Sequence, residues 1–135
     1  MTQHAKGPFE VKLVPQKADH PQAEASGHGR MSIAKRFQGD LDATSEGEML
    51  AVRTAYEGSA GYVAMEKVTG ILGGRKGTFV LQHSGTMNRG APHLSVTVVP
   101  DSGTGELTGL SGGMSITIGP KGEHSYEMQY EVASG

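Results

Sequence analysis

Apolar and polar residues alternate along this chain in short runs, and glycine-rich punctuation separates the runs. Phe9, Val11 and Leu13 alternate with Glu10 and Lys12, and a second run opens at Met31 and Ile33 and ends at Phe37, before "QGD". The stretches "GEMLAVRTAY", "GYVAMEKVTGIL", "GTFVLQHSGTM", "HLSVTVV", "GMSITI" and "HSYEMQYEV" continue the series. A period of two is the mark of a strand, whose successive side chains point to opposite faces. No window carries helix-period spacing with caps. About eight strands result, which predicts an all-β fold, a sandwich or a small antiparallel barrel. The segment "ADHPQAEASGHG" (18–29) is polar, small and proline-bearing and reads as a mobile loop. "DSGTGELTG" reads as a glycine-rich turn, and no internal repeat is present.

The alternation also assigns faces. Closing the hairpin in "KVTGILGGRKGTFVLQHSG" (67–85) on Gly74-Arg75, or on the four residues 73–76, predicts Gly70 opposite Phe79, Val68 opposite Leu81 and Glu66 opposite His83. One face then carries Tyr62, Ala64, Glu66, Val68, Leu72, Phe79, Leu81, His83 and Met87, and holds the aromatic residues and no lysine. That face is expected inside, with Lys67, Thr69, Gln82, Val63, Met65, Ile71 and Val80 outside. Closure around "GPKGEH" predicts Ile118 opposite Tyr126, Ile116 opposite Met128 and Met114 opposite Tyr130, a second apolar wall. Ser125, Glu127, Gln129 and Glu131 then face water, as in an antiparallel sheet with one wet side. Leu94, Val96 and Val98 form the inward set of "HLSVTVV".

Composition narrows the class. With 135 residues the chain suits a single domain with one core. A net charge of -2 excludes a strongly basic nucleic-acid or anionic-membrane binder, and the pairs Lys35-Arg36 and Arg75-Lys76 read as solvated turn or strand ends. The absence of cysteine removes disulfides, thiolate metal sites and a cysteine nucleophile. "MTQHAKGPFE" lacks a positive start followed by an apolar run, and no stretch approaches the ~20 apolar residues of a membrane helix. A cytoplasmic protein without nucleic-acid or membrane partners is the expectation.

The chemistry concentrates on Glu66 and His83, a carboxylate and an imidazole expected on an otherwise apolar interior face. A carboxylate removed from water alone costs several kcal/mol and usually takes up a proton. An imidazole beside it shares a proton and allows charge to persist. Two roles follow: a structural pair that holds strand register, or a polar anchor or acid–base pair in a greasy pocket. The second makes Glu66 and His83 candidate catalytic residues. The ligand-facing set is then Tyr62, Glu66, Phe79, Leu81, His83, Met114, Tyr126, Met128 and Tyr130, with the tyrosines able to add hydroxyl groups.

Other constellations are weaker. His4, His20 and His28 lie in the N-terminal third, and His83, His93 and His124 show no HxH or HxxxH spacing, so no metal is expected. "GILGGRKGT" lacks the spacing of a phosphate loop and precedes a strand. Ser84 beside His83 points to the opposite face and forms no triad with it. Met31, Met49, Met65, Met87, Met114 and Met128 read as fillers of irregular core gaps.

The stretches "RFQGDLDA", "GSAGYVAMEKVTGILGGRKGTFVLQHSGTM", "VVPDSGTGELTGLSGG" and "HSYEMQY" resemble a bacterial family of unknown function assigned an allene-oxide-cyclase-like barrel. The likeness spans residues 30 to 132 and is most specific from Gly58 to Met87. It implies an antiparallel eight-stranded barrel, related in architecture to the plant allene oxide cyclases and the dirigent proteins, which use the barrel interior for small hydrophobic molecules. The cyclases hold a water with asparagines near a glutamate, whereas the single asparagine here, Asn88, stands in the turn-like "MNRGAPH". The cyclase site therefore does not transfer residue by residue.

The functional expectation is a binder of a small, partly apolar molecule in the barrel lumen, without a cofactor. The alternatives are an isomerase or cyclase-like enzyme using the Glu66–His83 pair, and a filled barrel acting through subunit interactions. Val63, Met65, Ile71 and Val80 on the outside predict a homo-oligomer, most simply a two-fold dimer.

Overall fold

A computed structural model describes residues 2–133. Eight antiparallel strands close into a barrel in which each pairs with its neighbours in sequence: β1 (Gln3–Gln16), β2 (Gly29–Phe37), β3 (Leu41–Arg53), β4 (Ala60–Leu72), β5 (Arg75–Asn88), β6 (Ala91–Val98), β7 (Leu110–Ile118) and β8 (His124–Val132). β8 returns to β1, with Met128 opposite Ala5. The expected all-β eight-stranded barrel is the observed fold. Connections 38–40, 73–74 and 99–109 gather at one end, here the lower; connections 17–28, 54–59, 89–90 and 119–123 gather at the upper.

The face assignment holds, but both predicted hairpin registers are displaced by two residues. The β4–β5 turn is Gly73-Gly74, so that Leu72 meets Arg75, Glu66 meets Leu81 and Ala64 meets His83. Gly73 and Gly74 adopt φ of +56° and +84°, the left-handed pair that a two-residue hairpin turn requires and that Arg75 would resist. In β7–β8, Ile118 meets His124, Ile116 meets Tyr126 and Met114 meets Met128. A shift of two leaves every side chain on its face, whereas a shift of one would have reversed them all.

The lower half is a packed core. Phe37, Leu41, Val68, Leu72, Phe79, Leu81 and Met128 are all at most 1% exposed. The lower connection 99–109 folds back over this end as a single 3-10 turn, Gly105–Leu107, and drives Leu107 into the core at 1% exposure. Tyr126 closes the same end: its hydroxyl accepts from the Leu41 amide at 2.8 Å and donates to the Gln38 carbonyl at 2.7 Å. Tyr130, also buried, places its hydroxyl 3.3 Å from Gln3 Oε1.

Several details depart from the sequence reading. Segment 18–29, expected as loop, carries a short helix, α1 (Pro21–Ala25), whose Ala23 is buried. Of the six methionines expected in the core, only Met114 and Met128 are buried, while Met65 and Met87 are exposed. Lys35, expected in solvent beside Arg36, is 8% exposed and points inward. Its neighbour Arg36 does lie outside and pairs with Asp42 at 2.5 Å.

The barrel wall is uneven. Between β6 and β7 the register comprises only Val96 opposite Met114 and Thr97 opposite Gly113. Above this rung no further residues are paired in register, and inward-facing Leu94 and Ile118 are exposed by 40% and 64%. Leu94, expected in the core, thus keeps its face but loses its cover.

Candidate functional site

The buried polar residues Lys35, Ser45, Glu66 and His83 stand on β2, β3, β4 and β5, four adjacent strands, and all face the lumen. Each shares the parity of apolar core neighbours: Lys35 lies between Ile33 and Phe37, Ser45 follows Leu41 and Ala43, and Glu66 precedes Val68. Glu66 is the hub. Its Oε1 accepts from Lys35 Nζ at 2.8 Å and lies 2.6 Å from His83 Nε2. Its Oε2 accepts from the Ser45 hydroxyl at 2.5 Å. The pairing of Glu66 with His83 expected from sequence is therefore present, across a diagonal of the β4–β5 ladder instead of directly opposite.

Burial alone would raise the Glu66 carboxyl. The His83 hydrogen bond, the Lys35 charge and the hydrogen bonds from Lys35 and Ser45 outweigh it and bring the group down to about 2. Glu66 is thus a carboxylate with both oxygens engaged, unsuited to shuttling protons near neutral pH. Lys35 is held from its other side by aromatic faces, 5.1 Å from the Phe9 ring centroid and 5.7 Å from that of Phe37.

Two polar atoms of this region remain available. His83 hydrogen-bonds through Nε2 alone. Since no fully buried side-chain nitrogen or oxygen among the described residues lacks a partner, His83 Nδ1 keeps a small exposure in a residue that is 3% exposed overall. Nδ1 accepts a hydrogen bond when the ring is neutral and donates one when it is protonated. Tyr62 is half-buried, its ring centroid 6.4 Å from that of His83. Its hydroxyl has no partner among the described residues. Burial and the nearby Glu66 charge both raise its pKa, so it remains a neutral hydroxyl at physiological pH. The ring lies across Gly85, directly opposite on β5, where a Cβ would come within 2.3 Å of Tyr62 Cε1. Glycine there is what allows Tyr62 to lean towards His83.

Above the cluster the inner face opens into a mouth. Leu13, Met87, Leu94 and Ile118 are 39–64% exposed although they point inward, and Met31 and Met49 are half-buried. Below the cluster the lumen is filled. Of the residues expected to face a ligand, Tyr62, Glu66 and His83 therefore lie at the base of the mouth. Phe79, Leu81, Tyr126, Met128 and Tyr130 belong to the packed lower core, and Met114 sits at the last β6–β7 rung. Two concavities elsewhere, of about 830 Å³ beside β1, β7 and β8 and about 630 Å³ beneath segment 16–29, are lined by neither Glu66 nor His83. Among the described residues no group of three histidine, aspartate or glutamate side chains is placed to hold a metal ion.

Sequence reasoning missed Lys35 and Ser45. The signal was available: the run Met31-Ile33-Lys35-Phe37 places the lysine on the apolar side of its strand.

Comparison with protein families places residues 5–130 in the family described as "Protein of unknown function (DUF3224)". The chain belongs to this family. A crystal structure of a DUF3224 family protein with unknown function from Shewanella oneidensis MR-1 is 47% identical, covers 100% of both chains and matches with a TM-score of 0.91. No curated protein matches. Membership therefore establishes the barrel and leaves activity to be argued from the site.

Proposed function

We propose that this DUF3224 protein binds a small, partly apolar molecule in the upper lumen, its polar end at His83 and Tyr62 and its apolar part against the mouth. One observation carries this reading: a buried Lys35–Glu66–His83–Ser45 cluster, bonded throughout except at His83 Nδ1, forms the base of a mouth lined by half-exposed apolar side chains. A few placed polar groups in an apolar concavity are what a small-molecule site needs. The architectural relation to allene oxide cyclases and dirigent proteins that the sequence resemblance implies favours the same use of the barrel interior, by analogy. Native mass spectrometry of the protein purified from its own cells tests the reading. Bound mass should appear with wild type and fall at least tenfold in occupancy-derived affinity, about 1.4 kcal/mol, with Tyr62→Phe. The melting temperature of that variant should not change, since the hydroxyl holds no protein partner. Retention of the same mass at the same affinity would count against Tyr62 as an anchor, and bare protein throughout would count against the reading.

The 2.6 Å contact between Glu66 and His83 supports a second reading, an isomerase or cyclase-like enzyme. In it His83 moves the proton through Nδ1, while Glu66 orients the ring and stays ionised. This exchanges the equal roles expected of the pair for a base and its positioning residue.

The outer face supports association of two copies. Leu50 lies opposite Val63, and Met65 follows on β4; the three are 42%, 53% and 51% exposed. Ile71 is also exposed, while Val80 is only half-exposed. A two-fold dimer through β3 and β4 would cover this patch. Light scattering at micromolar concentration should give a dimer for wild type and a monomer for Met65→Lys; a wild-type monomer removes the proposal.

A further inference from the structure

The sparsely paired β6–β7 seam lies next to the site. His83 is opposite Val96, and Val96 is opposite Met114 in the rung above which no further residues are paired. The unpaired stretch of the barrel wall, the β6–β7 gap in the ladder, therefore begins one residue from the imidazole. Strand parity gives its chemistry. The Val99 amide bonds to the Val80 carbonyl on β5, so odd-numbered β6 residues turn their backbone groups to β5 and even-numbered ones turn theirs to the gap. On β7 the Gly119 amide bonds to the Glu123 carbonyl, so Ile116 and Ile118 likewise turn their backbone groups to the gap. The lumenal edges of the gap are the side chains of Leu94, Ile116 and Ile118. They are apolar, and two of them are exposed although they share the parity of core residues.

One residue bears on what occupies this gap. Pro92 is even-numbered, so the amide hydrogen it lacks would have pointed across the seam. A proline at that position weakens strand addition, as it does on natural sheet edges. The gap is thus apolar on its inner lip and poorly suited to an inserted strand, and its lower end reaches His83.

From this we infer that the β6–β7 gap holds the tail of an elongated ligand. An unbranched aliphatic chain lies through the wall between Leu94 and Ile118, and an oxygen-bearing head, a hydroxyl, carbonyl or carboxyl, meets His83 Nδ1 and the Tyr62 hydroxyl. The inference rests on the lumenal reading and specifies its ligand class and its route of entry. The lumen below His83 is filled by Leu81, Val68 and Met128, so a chain bound at His83 extends upward, towards the mouth and the unpaired wall beside it.

The probes are 1-butanol and 1-octanol, read by NMR at the His83 imidazole and at the isoleucine methyl groups. Both alcohols should shift the His83 ring, and only 1-octanol should shift Ile116 and Ile118 along with it. Octanol should bind wild type at least tenfold more tightly than butanol. Ile118→Lys, at a position 64% exposed and so tolerant of charge, should remove most of that advantage. Equal affinities of the two alcohols, with His83 shifted and the isoleucines silent, would overturn the tail site while leaving the lumenal anchor standing. No shift of His83 with either alcohol would overturn both. Methyl shifts that follow protein concentration and ignore octanol would mean that a second copy fills the gap, which also overturns the inference.

Discussion

The two ends of this barrel are built from the same alternating pattern and end in opposite states. At the lower end, inward residues such as Phe79, Leu72 and Leu41 are at most 1% exposed, and Leu107 enters from outside the strands to fill what the barrel leaves open. At the upper end, Leu13, Met87, Leu94 and Ile118 point the same way and stay in contact with water. The lower connection 99–109 folds back and is tied down, with Thr104 N–H bonded to the Thr78 carbonyl at 2.8 Å. Among the described residues no comparable plug covers Leu94 and Ile118. Pairing differs too: β3–β4 is in register along the whole of both strands, from Leu41 opposite Leu72 to Arg53 opposite Ala60, whereas β6–β7 keeps two rungs. An inward side chain is buried only where the wall beside it is closed and the end above it is covered. The charged cluster lies at the boundary between the two regimes, enclosed enough to need its partners and close enough to the mouth to meet a solute.

The contrast can be broken by truncation. Phe79→Ala, in the closed end, should lower the free energy of unfolding by about 3–5 kcal/mol, because the cavity it leaves cannot collapse. Denaturant titration measures this, and a loss below about 1 kcal/mol would mean that the lower end is not the packed core described here.

The boundary cluster should show its charge in acid. Glu66 has a folded-state pKa of about 2 against an ordinary value of 4.5. A lowered pKa contributes stability that is present above about pH 4.5 and lost as pH falls through 4.5 towards 2. The full contribution is about 3 kcal/mol, since each pKa unit corresponds to about 1.4 kcal/mol. Comparing wild type with Glu66→Gln isolates it, because the other carboxylates are common to both. The difference in stability should be largest near pH 6 and shrink towards pH 2. The same variant should be less stable at neutral pH, as Lys35 loses its counter-charge in a site where it is 8% exposed. A Glu66→Gln protein as stable as wild type at pH 6 would show that the cluster is more solvated than its geometry indicates.

The smallest effect belongs to the mouth. Ile118→Ala, at 64% exposure, should change stability by less than about 0.5 kcal/mol. A larger loss would mean that something in solution, a second copy or a carried ligand, covers this residue, and would sharpen the comparison by showing what the upper end awaits.

Period-two alternation determined most of the fold by itself. Strand faces follow from parity alone, so Phe79, Leu81, Val96, Met128 and the Glu66–His83 pair were legible as interior without any knowledge of register. The same parity concealed the register error: a hairpin displaced by two residues presents the same faces, and only the left-handed geometry of Gly73 and Gly74 distinguishes the turns. Lys35 was legible in principle, on the apolar side of its strand, but its charge invited a surface reading; its inward placement depends on Glu66, 31 residues away. What tertiary structure alone decided is where the barrel stays closed. The pairing of β6 with β7 depends on how eight tilted strands share the circumference, a property of the whole sheet that no local pattern records. For that reason Leu94 and Ile118, whose sequence surroundings resemble those of buried Val96 and Met114, lie at an open wall.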